Sequence, residues 1–297
     1  MRESDLAIDL TISIVNWNTR NELRECLNGI FSQENSISSE IVVVDNGSTD
    51  GSVDMIRADF ADRVILIGNP DNRGFGAAHN EAINQSAGRY ILVLNPDSHL
   101  VSSNALKRMV EYMDDNGDIG ILGPRIINPD GTLQFSARRF PSMIAGVFRH
   151  TAFGRLFPKN RFVRRYLMVD DSHDATMDVG WVSGCATMLR REMLDQIGLF
   201  DERFFMYCED VDICCRAGNT PRPDGGNWRV VYFPEVEIMH QIGAASDKNP
   251  IAMIKQHHRS MLLYFLKYNA RSPKILLTPF VLIALWLRTK ARAKLVR

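Results

Sequence analysis

Through its first third the chain alternates short runs of β-forming apolar residues with stretches whose apolar positions recur every three or four residues. Leu10–Val15 reads as a strand, and Leu23, Cys26/Leu27 and Ile30/Phe31 follow at helical spacing. Ile41–Val44 is a second strand, ended by the polar stretch Asp45–Gly51; Asp50 or Ser52 can cap the helix that follows to Phe60. Val64–Ile67 is a third, and a glycine-bearing loop, Asn69–Gly76, opens onto a helix over Ala77–Gln85. Tyr90–Leu94 comes fourth and stops at Asn95-Pro96-Asp97. Its apolar residues lack helical spacing and predict a strand buried on both faces, and proline cannot continue a central ladder.

Strand–helix repetition predicts an α/β fold: a mainly parallel sheet with helices on both faces. In such a sheet the C-terminal strand ends share one edge, where ligands bind. Asn16, Asn18, Asp45, the Asn72–Asn80 segment and Asp97 are therefore expected to meet at one crevice. Farther along, Ser102–Asn116 reads as a helix and Ile119–Ile127 as a strand, with a turn at Asn128–Gly131. Val179–Leu189 and Trp228–Phe233 read as strands and Ile251–Tyr268 as a helix.

Composition changes this picture in two places only. Net charge is zero and no global basicity argues for nucleic acid. Locally, Arg138–Arg165 carries eight Arg or Lys, no acid, and interleaved phenylalanines. It reads either as a solvated loop and helix or as a surface for an anionic, lipid-linked partner. Asp170, Asp171, Asp174 and Asp178 then cancel much of that charge. At the other end, Ile275–Leu287 is almost wholly apolar and is followed by Arg288, Lys290, Arg292, Lys294 and Arg297 without an acid. The apolar part falls short of the ~20 residues a span needs and suits the membrane interface. Five cysteines without paired spacing read as buried thiols in a reducing compartment rather than as a zinc site, and the acidic N-terminus is not a signal peptide.

Candidate chemistry lies where carboxylates interrupt apolar sequence. Asp97 is either a turn residue or a metal ligand, since Asn-Pro-Asp is good turn chemistry. Glu209, Asp210 and Asp212 stand among apolar neighbours at a helix start; the helix dipole accounts for one or two, and a partly desolvated carboxylate suits a base. His240 alone reads as structural unless an anion or metal faces it. The Asn72–Gly76 loop matches neither a dinucleotide nor a P-loop fingerprint.

Taken in order, Ile14–Asn18, Val44–Ser52, Asn72–Asn80, Leu94–Asp97, Trp181–Arg191, Phe200–Asp212 and His240 resemble the family-2 inverting glycosyltransferases of the GT-A fold. Gly123–Ser142 and His257–Ser260 look most like bacterial rhamnosyltransferases of cell-wall and O-antigen assembly. The resemblance implies a nucleotide-sugar donor, dTDP-rhamnose, a polyprenyl-diphosphate-linked saccharide acceptor, and Mg²⁺ or Mn²⁺. It implies that Asp45 bonds the nucleobase, flanked by Asn16 and Asn18, and that Asn72, Gly74, Gly76, Asn80 and Asn95 line the donor pocket. Asp97 and His240 would hold the metal, Asp210 beside Glu209 would be the base, and Trp181 and Gly184 would shape the acceptor side. Asn95 stands where many relatives carry an acid, leaving Asp97 as that strand's carboxylate ligand. The implied organisation is a transferase domain over 1–246, donor half 1–127 and acceptor half 128–246. A helical extension over 247–297 would rest on the cytoplasmic face of the inner membrane. A transferase of galactofuranose, glucose or GlcNAc, a nucleotidyltransferase and a non-catalytic subunit are the alternatives, and self-association is open.

Overall fold

The computed structural model describes residues 8–33, 37–142, 160–241 and 250–295. The strand–helix alternation yields β1 (Leu10–Asn16), α1 (Arg20–Phe31), β2 (Ser39–Asp45), α2 (Ser52–Asp59), β3 (Ile65–Gly68), α3 (Phe75–Asn84) and β4 (Tyr90–Leu94). Then come β5 (Ser98–Leu100), α4 (Ala105–Asp115), β6 (Ile119–Ile127), β7 (Leu133–Gln134), β8 (Ala137–Arg138) and α5 (Arg161–Leu167). The rest is β9 (Met177–Asp178), β10 (Trp181–Val182), β11 (Ala186–Arg190), α6 (Arg191–Ile197), α7 (Glu209–Gly218), β12 (Arg229–His240), α8 (Pro250–Asn269), a 3₁₀ turn (Pro273–Leu277) and α9 (Thr278–Leu295).

One sheet runs β3-β2-β1-β4-β11-β6-β12-β5. β1 pairs in parallel with β2 and β4, β2 with β3, and β6 with β12. β11 is inserted antiparallel between β4 and β6, so those two still run in the same direction. Double-sided burial is visible in β4, where Tyr90, Leu92 and Leu94 join one core and Ile91 and Val93 the other. Residues of α1, α2 and α4 fill the first core; α6 and α7 supply much of the second. Cutting Leu92 back to Ala, with both faces packed, costs about 2–5 kcal/mol.

Two sequence expectations are revised. Val179–Leu189 is not one strand: it breaks into the end of β9's loop, β10 and β11, because Gly180 must pass against the backbone of Arg139–Phe140, where a Cβ would sit 2.6 Å from Phe140 N. Trp228–Phe233 leads into the longer β12, which starts at Arg229 and whose register slips between Phe233 and Glu237 around Pro234, a residue with no N–H to give the ladder. Between α7 and β12, Asn219–Asn227 is a closed surface loop: Pro221 bridges Asn227, Arg222 N donates to Gly226 O, and the Arg222 guanidinium covers the Trp228 ring. Much of the basic–aromatic stretch, including Phe148, Arg149, Phe153, Arg155, Phe157 and Lys159, lies outside the described residues, as do Ala244–Ser246 and the 246/247 boundary.

Candidate active site

β4 must end at Pro96, and the chain turns at once into β5, which lies antiparallel against the far end of β12. The register sets His240 opposite Ser98, and this brings a histidine from late in the chain beside Asp97. Asp97 is buried, and its Oδ1 lies 3.2 Å from His240 Nε2. Gln134 Nε2 donates to the His240 carbonyl (2.6 Å), which turns Oε1 toward His240 Nδ1 at 3.2 Å. In the tautomer that donates Nδ1–H to Gln134 Oε1, Nε2 presents a lone pair toward Asp97. Asn95 Nδ2 lies 3.2 Å from the same nitrogen. Asp97 Oδ1 is sealed from solvent with no hydrogen-bond donor among the described residues, a costly state for a carboxylate oxygen. A lone pair and an orphaned carboxylate oxygen facing one another fit a divalent cation. No third His, Cys, Asp or Glu joins them among the described residues, so substrate oxygens and water would complete its shell.

The loops after β1, β2 and β3 lock onto one another. Asn16 Nδ2 donates to Asp45 Oδ2 (2.7 Å) and Ser48 Oγ (3.0 Å), while Asp45 Oδ1 accepts from Ser48 N (2.8 Å). Asn18, at φ 56°, accepts from Thr49 N through Oδ1. Asp45 is 1% exposed, so its carboxylate shapes this loop from beneath. Asn72 Oδ1 accepts from Gly74 N, and Asn46 Nδ2 donates to Gly74 O. Gly74 has φ +94°, and a Cβ there would lie 2.5 Å from Phe205 O, which accepts from Phe75 N. Gly76 packs on Phe200. The Asn80 amide is committed to the backbone of Phe200, donating to its O and accepting from its N, both at 2.9 Å. Asn80 therefore fastens the donor-side helix to the loop that leads into α7.

That loop ends in two consecutive left-handed residues, Tyr207 and Cys208, both at φ 69°. Such non-glycine strain clusters at functional sites, and here it aims the first turn of α7. Asp210 Oδ1 accepts from Val211 N (2.8 Å), Oδ2 from Gly184 N (3.3 Å). Asp210 is half-buried, whereas Glu209 is buried, its Oε2 without a partner among the described residues. Desolvation raises both carboxyls above their ordinary range, Glu209 well above it, with the Asp210 charge adding to that rise. Backbone N–H groups and the Arg138 guanidinium partly offset the rise at Asp210. The third acid is structural, since Asp212, fully buried, binds Arg216 Nε (2.9 Å), Lys267 Nζ (2.5 Å) and Tyr268 OH (2.8 Å).

Trp181 is buried, with Nε1 donating to Arg139 O. Gly184 lies against Phe75 and the Asp210 Cβ. The next residue joins the two halves of the site: Cys185 O accepts from Asn95 N (2.8 Å) and Ser98 Oγ (3.3 Å). Its thiol, pushed up chiefly by burial, also feels the charges of both Asp97 and Asp210. One dipeptide thus holds the Asp97 loop by its carbonyl and Asp210 by its N–H. Sequence reasoning missed β5, Gln134 and Arg138 as parts of this site. The strand is three residues long, and Gln134 becomes meaningful only through its contact with His240.

Chemically, the Asp97–His240 pair with a cation would neutralise charge growing on a leaving diphosphate. A desolvated, half-buried carboxylate on the facing element would take a hydroxyl proton, typically a 10²–10⁴-fold effect.

Known proteins place the chain in the same frame. It is 32% identical over 235 residues to the N-acetylglucosaminyl-diphospho-decaprenol L-rhamnosyltransferase of Mycobacterium tuberculosis, covering 75% of this chain and 73% of the relative. In fold it resembles the mannosyltransferase PcManGT of Pyrobaculum calidifontis, solved with GDP-Man and Mn²⁺ (TM-score 0.58, 18% identity, 98% of this chain and 78% of that one). It likewise resembles GalNAc-T7 with UDP, GalNAc and Mn²⁺ (TM-score 0.57, 15% identity, 79% and 43%). These are GT-A-fold proteins, and the sheet described above is of that type. The sequence profile of Glycosyl transferase family 2 matches residues 11–198, and the chain is a glycosyltransferase belonging to that family.

Proposed function

We propose that this enzyme transfers L-rhamnose from dTDP-L-rhamnose, with inversion, to a saccharide carried on a polyprenyl diphosphate, using Mn²⁺ or Mg²⁺. The observation that carries the reading is the Gly184–Cys185 link between a cation-fitting pair and a raised carboxylate. Asp97 and His240 hold the metal, and Asp210 is the base, with the buried Glu209 beside it. The loops around Asp45 and Asn72–Gly76 cradle the nucleotide. The similarity to a rhamnosyltransferase acting on a lipid-linked GlcNAc supports this choice of donor and acceptor.

The acceptor's lipid also gives the C-terminal extension a purpose. Leu276, Phe280, Ile283, Trp286 and Leu287 are each more than half exposed, and no described helix is long and apolar enough to cross a membrane. Lys290 Nζ sits 5.7 Å from the Trp286 ring centroid, within a run of cations that starts at Arg288 and carries no acid. An apolar face ending in cations suits the anionic cytoplasmic leaflet. Thermal-shift titration with a panel of nucleotide sugars, with and without Mn²⁺, tests the donor; metal-dependent stabilisation by another donor and none by dTDP-rhamnose refutes rhamnose. Flotation with anionic vesicles tests the tail, because a Phe280→Glu/Trp286→Glu protein should stay in solution, and its undiminished flotation refutes the docking.

A further inference from the structure

We infer that Arg138 grips the diphosphate of the acceptor while the acceptor's sugar hydroxyl lies against Asp210. This rests on the lipid-diphosphate reading of the acceptor. Arg138 is held on a short rigid ladder: β8 pairs antiparallel with β10, Arg138 opposite Trp181 and Ala137 opposite Val182. Gly180 N donates to Arg138 O (2.8 Å), and Ser183 N to Ser136 O (3.0 Å). The side chain is fixed as firmly, since its Cζ lies 4.8 Å from the Trp181 ring centroid and its Nε donates to Phe135 O (2.7 Å).

What remains is the outer fork of the guanidinium. Among the described residues no acceptor takes a hydrogen bond from either Nη of Arg138, and no carboxylate lies within ion-pair distance of it. Two other half-buried arginines of this domain are spent. Arg190 gives hydrogen bonds to Ile119 O, Met113 O, Asn116 O and Tyr90 OH, and Arg216 to Asp212 and three carbonyls. A stacked, oriented fork with idle donors matches the oxygen geometry of a phosphate. From Trp181, under the guanidinium, to Gly184, whose N–H touches Asp210, is three residues, at most about 10 Å of chain. One ligand bearing a sugar and a diphosphate can therefore reach both. The field of Arg138 already reaches Asp210, lowering its proton affinity. A bound dianion would cancel that pull, so the base would strengthen when the acceptor arrives.

The test compares two acceptors with the same saccharide, one on an alkyl diphosphate and one as a neutral alkyl glycoside, in the full-length wild type, Arg138→Gln and Arg138→Lys. The readout is the ratio of kcat/KM for the two acceptors, which a general loss of structure does not move. Wild type should prefer the diphosphate, Arg138→Gln should lose about 10–100-fold of that preference, and Arg138→Lys should recover only part of it. An unchanged ratio in Arg138→Gln overturns this inference while leaving the acceptor reading intact. Wild type that shows no preference for the diphosphate overturns both.

Discussion

Lys267 reaches from α8 to two acids on the catalytic side, and removing its charge should loosen both stability and catalysis. Its Nζ lies 2.7 Å from Asp201 Oδ2 and 2.5 Å from Asp212 Oδ1. Asp212 is fully buried and Lys267 largely so. Lys267→Met keeps most of the stem but strips a partner from a carboxylate that cannot reach water. Breaking a buried pair from one side costs about 3–5 kcal/mol. Arg216 and Tyr268 still hold Asp212, which puts the loss at the lower end, about 3 kcal/mol. At roughly 2–4 °C per kcal/mol, Tm should fall by about 6–12 °C. Arg203, then Lys267, hold Asp201 well below the ordinary carboxylate range. Its share of stability is therefore present above the unfolded pKa of about 4 and is lost as pH falls toward the depressed value. Because Asp212 sits two residues past Asp210, kcat should drop more than donor KM rises. Scanning calorimetry and steady-state kinetics check both. A Tm change under about 1 °C, with kcat intact, would show that Lys267 is an exposed pair of no consequence.

The remaining predictions concern the chemistry. Asp210→Asn should lower kcat by about 10²–10⁴-fold with donor-induced stabilisation retained, and wild-type activity should fall as pH drops through the raised Asp210 pKa. The same raised carboxyls make the folded state hold protons that the unfolded chain releases near pH ~4. Stability should therefore decline as pH rises above that value, and Glu209→Gln should flatten the decline in thermal melts across pH. Gln134→Leu removes the group that orients His240 and should weaken Mn²⁺ binding about 10–100-fold by calorimetry in the presence of a nucleoside diphosphate. An unaltered affinity would detach His240 from the metal.

The strands legible in the sequence are those buried on both sides. Tyr90–Leu94 was readable to the residue because its apolar character is unbroken and a turn follows; Ile119–Ile127 was readable, despite Gly120, Gly123, Pro124 and Arg125 within it, because the Asn128–Gly131 turn closes it. Elements whose reason lies elsewhere in the chain were not. β5 exists because β12 offers it an edge, and Gln134 matters because His240 turns its ring toward it. The acidic run beginning at Glu209 was visible as an anomaly. Dividing it into Glu209 and Asp210 on one side and Asp212 on the other required Lys267 and Tyr268, more than fifty residues later. Asn80 shows the opposite case, where a motif position draws attention and the side chain proves to be a bracket on Phe200.

The Gly184–Cys185 dipeptide bears on how this enzyme can change over evolution. In the proposed reaction the Gly184 N–H and the Cys185 carbonyl form the shared wall between the station for the departing group and the station for the incoming one. A substitution that shifts this backbone disturbs both at once, so drift there is penalised twice. The ladder at Arg138–Trp181 lies on the acceptor side of the proposed reaction, and the start of the Asn69–Gly76 loop on the donor side. On that reading new donors and new acceptors are sampled at those places, around a reaction centre whose spacing stays constant.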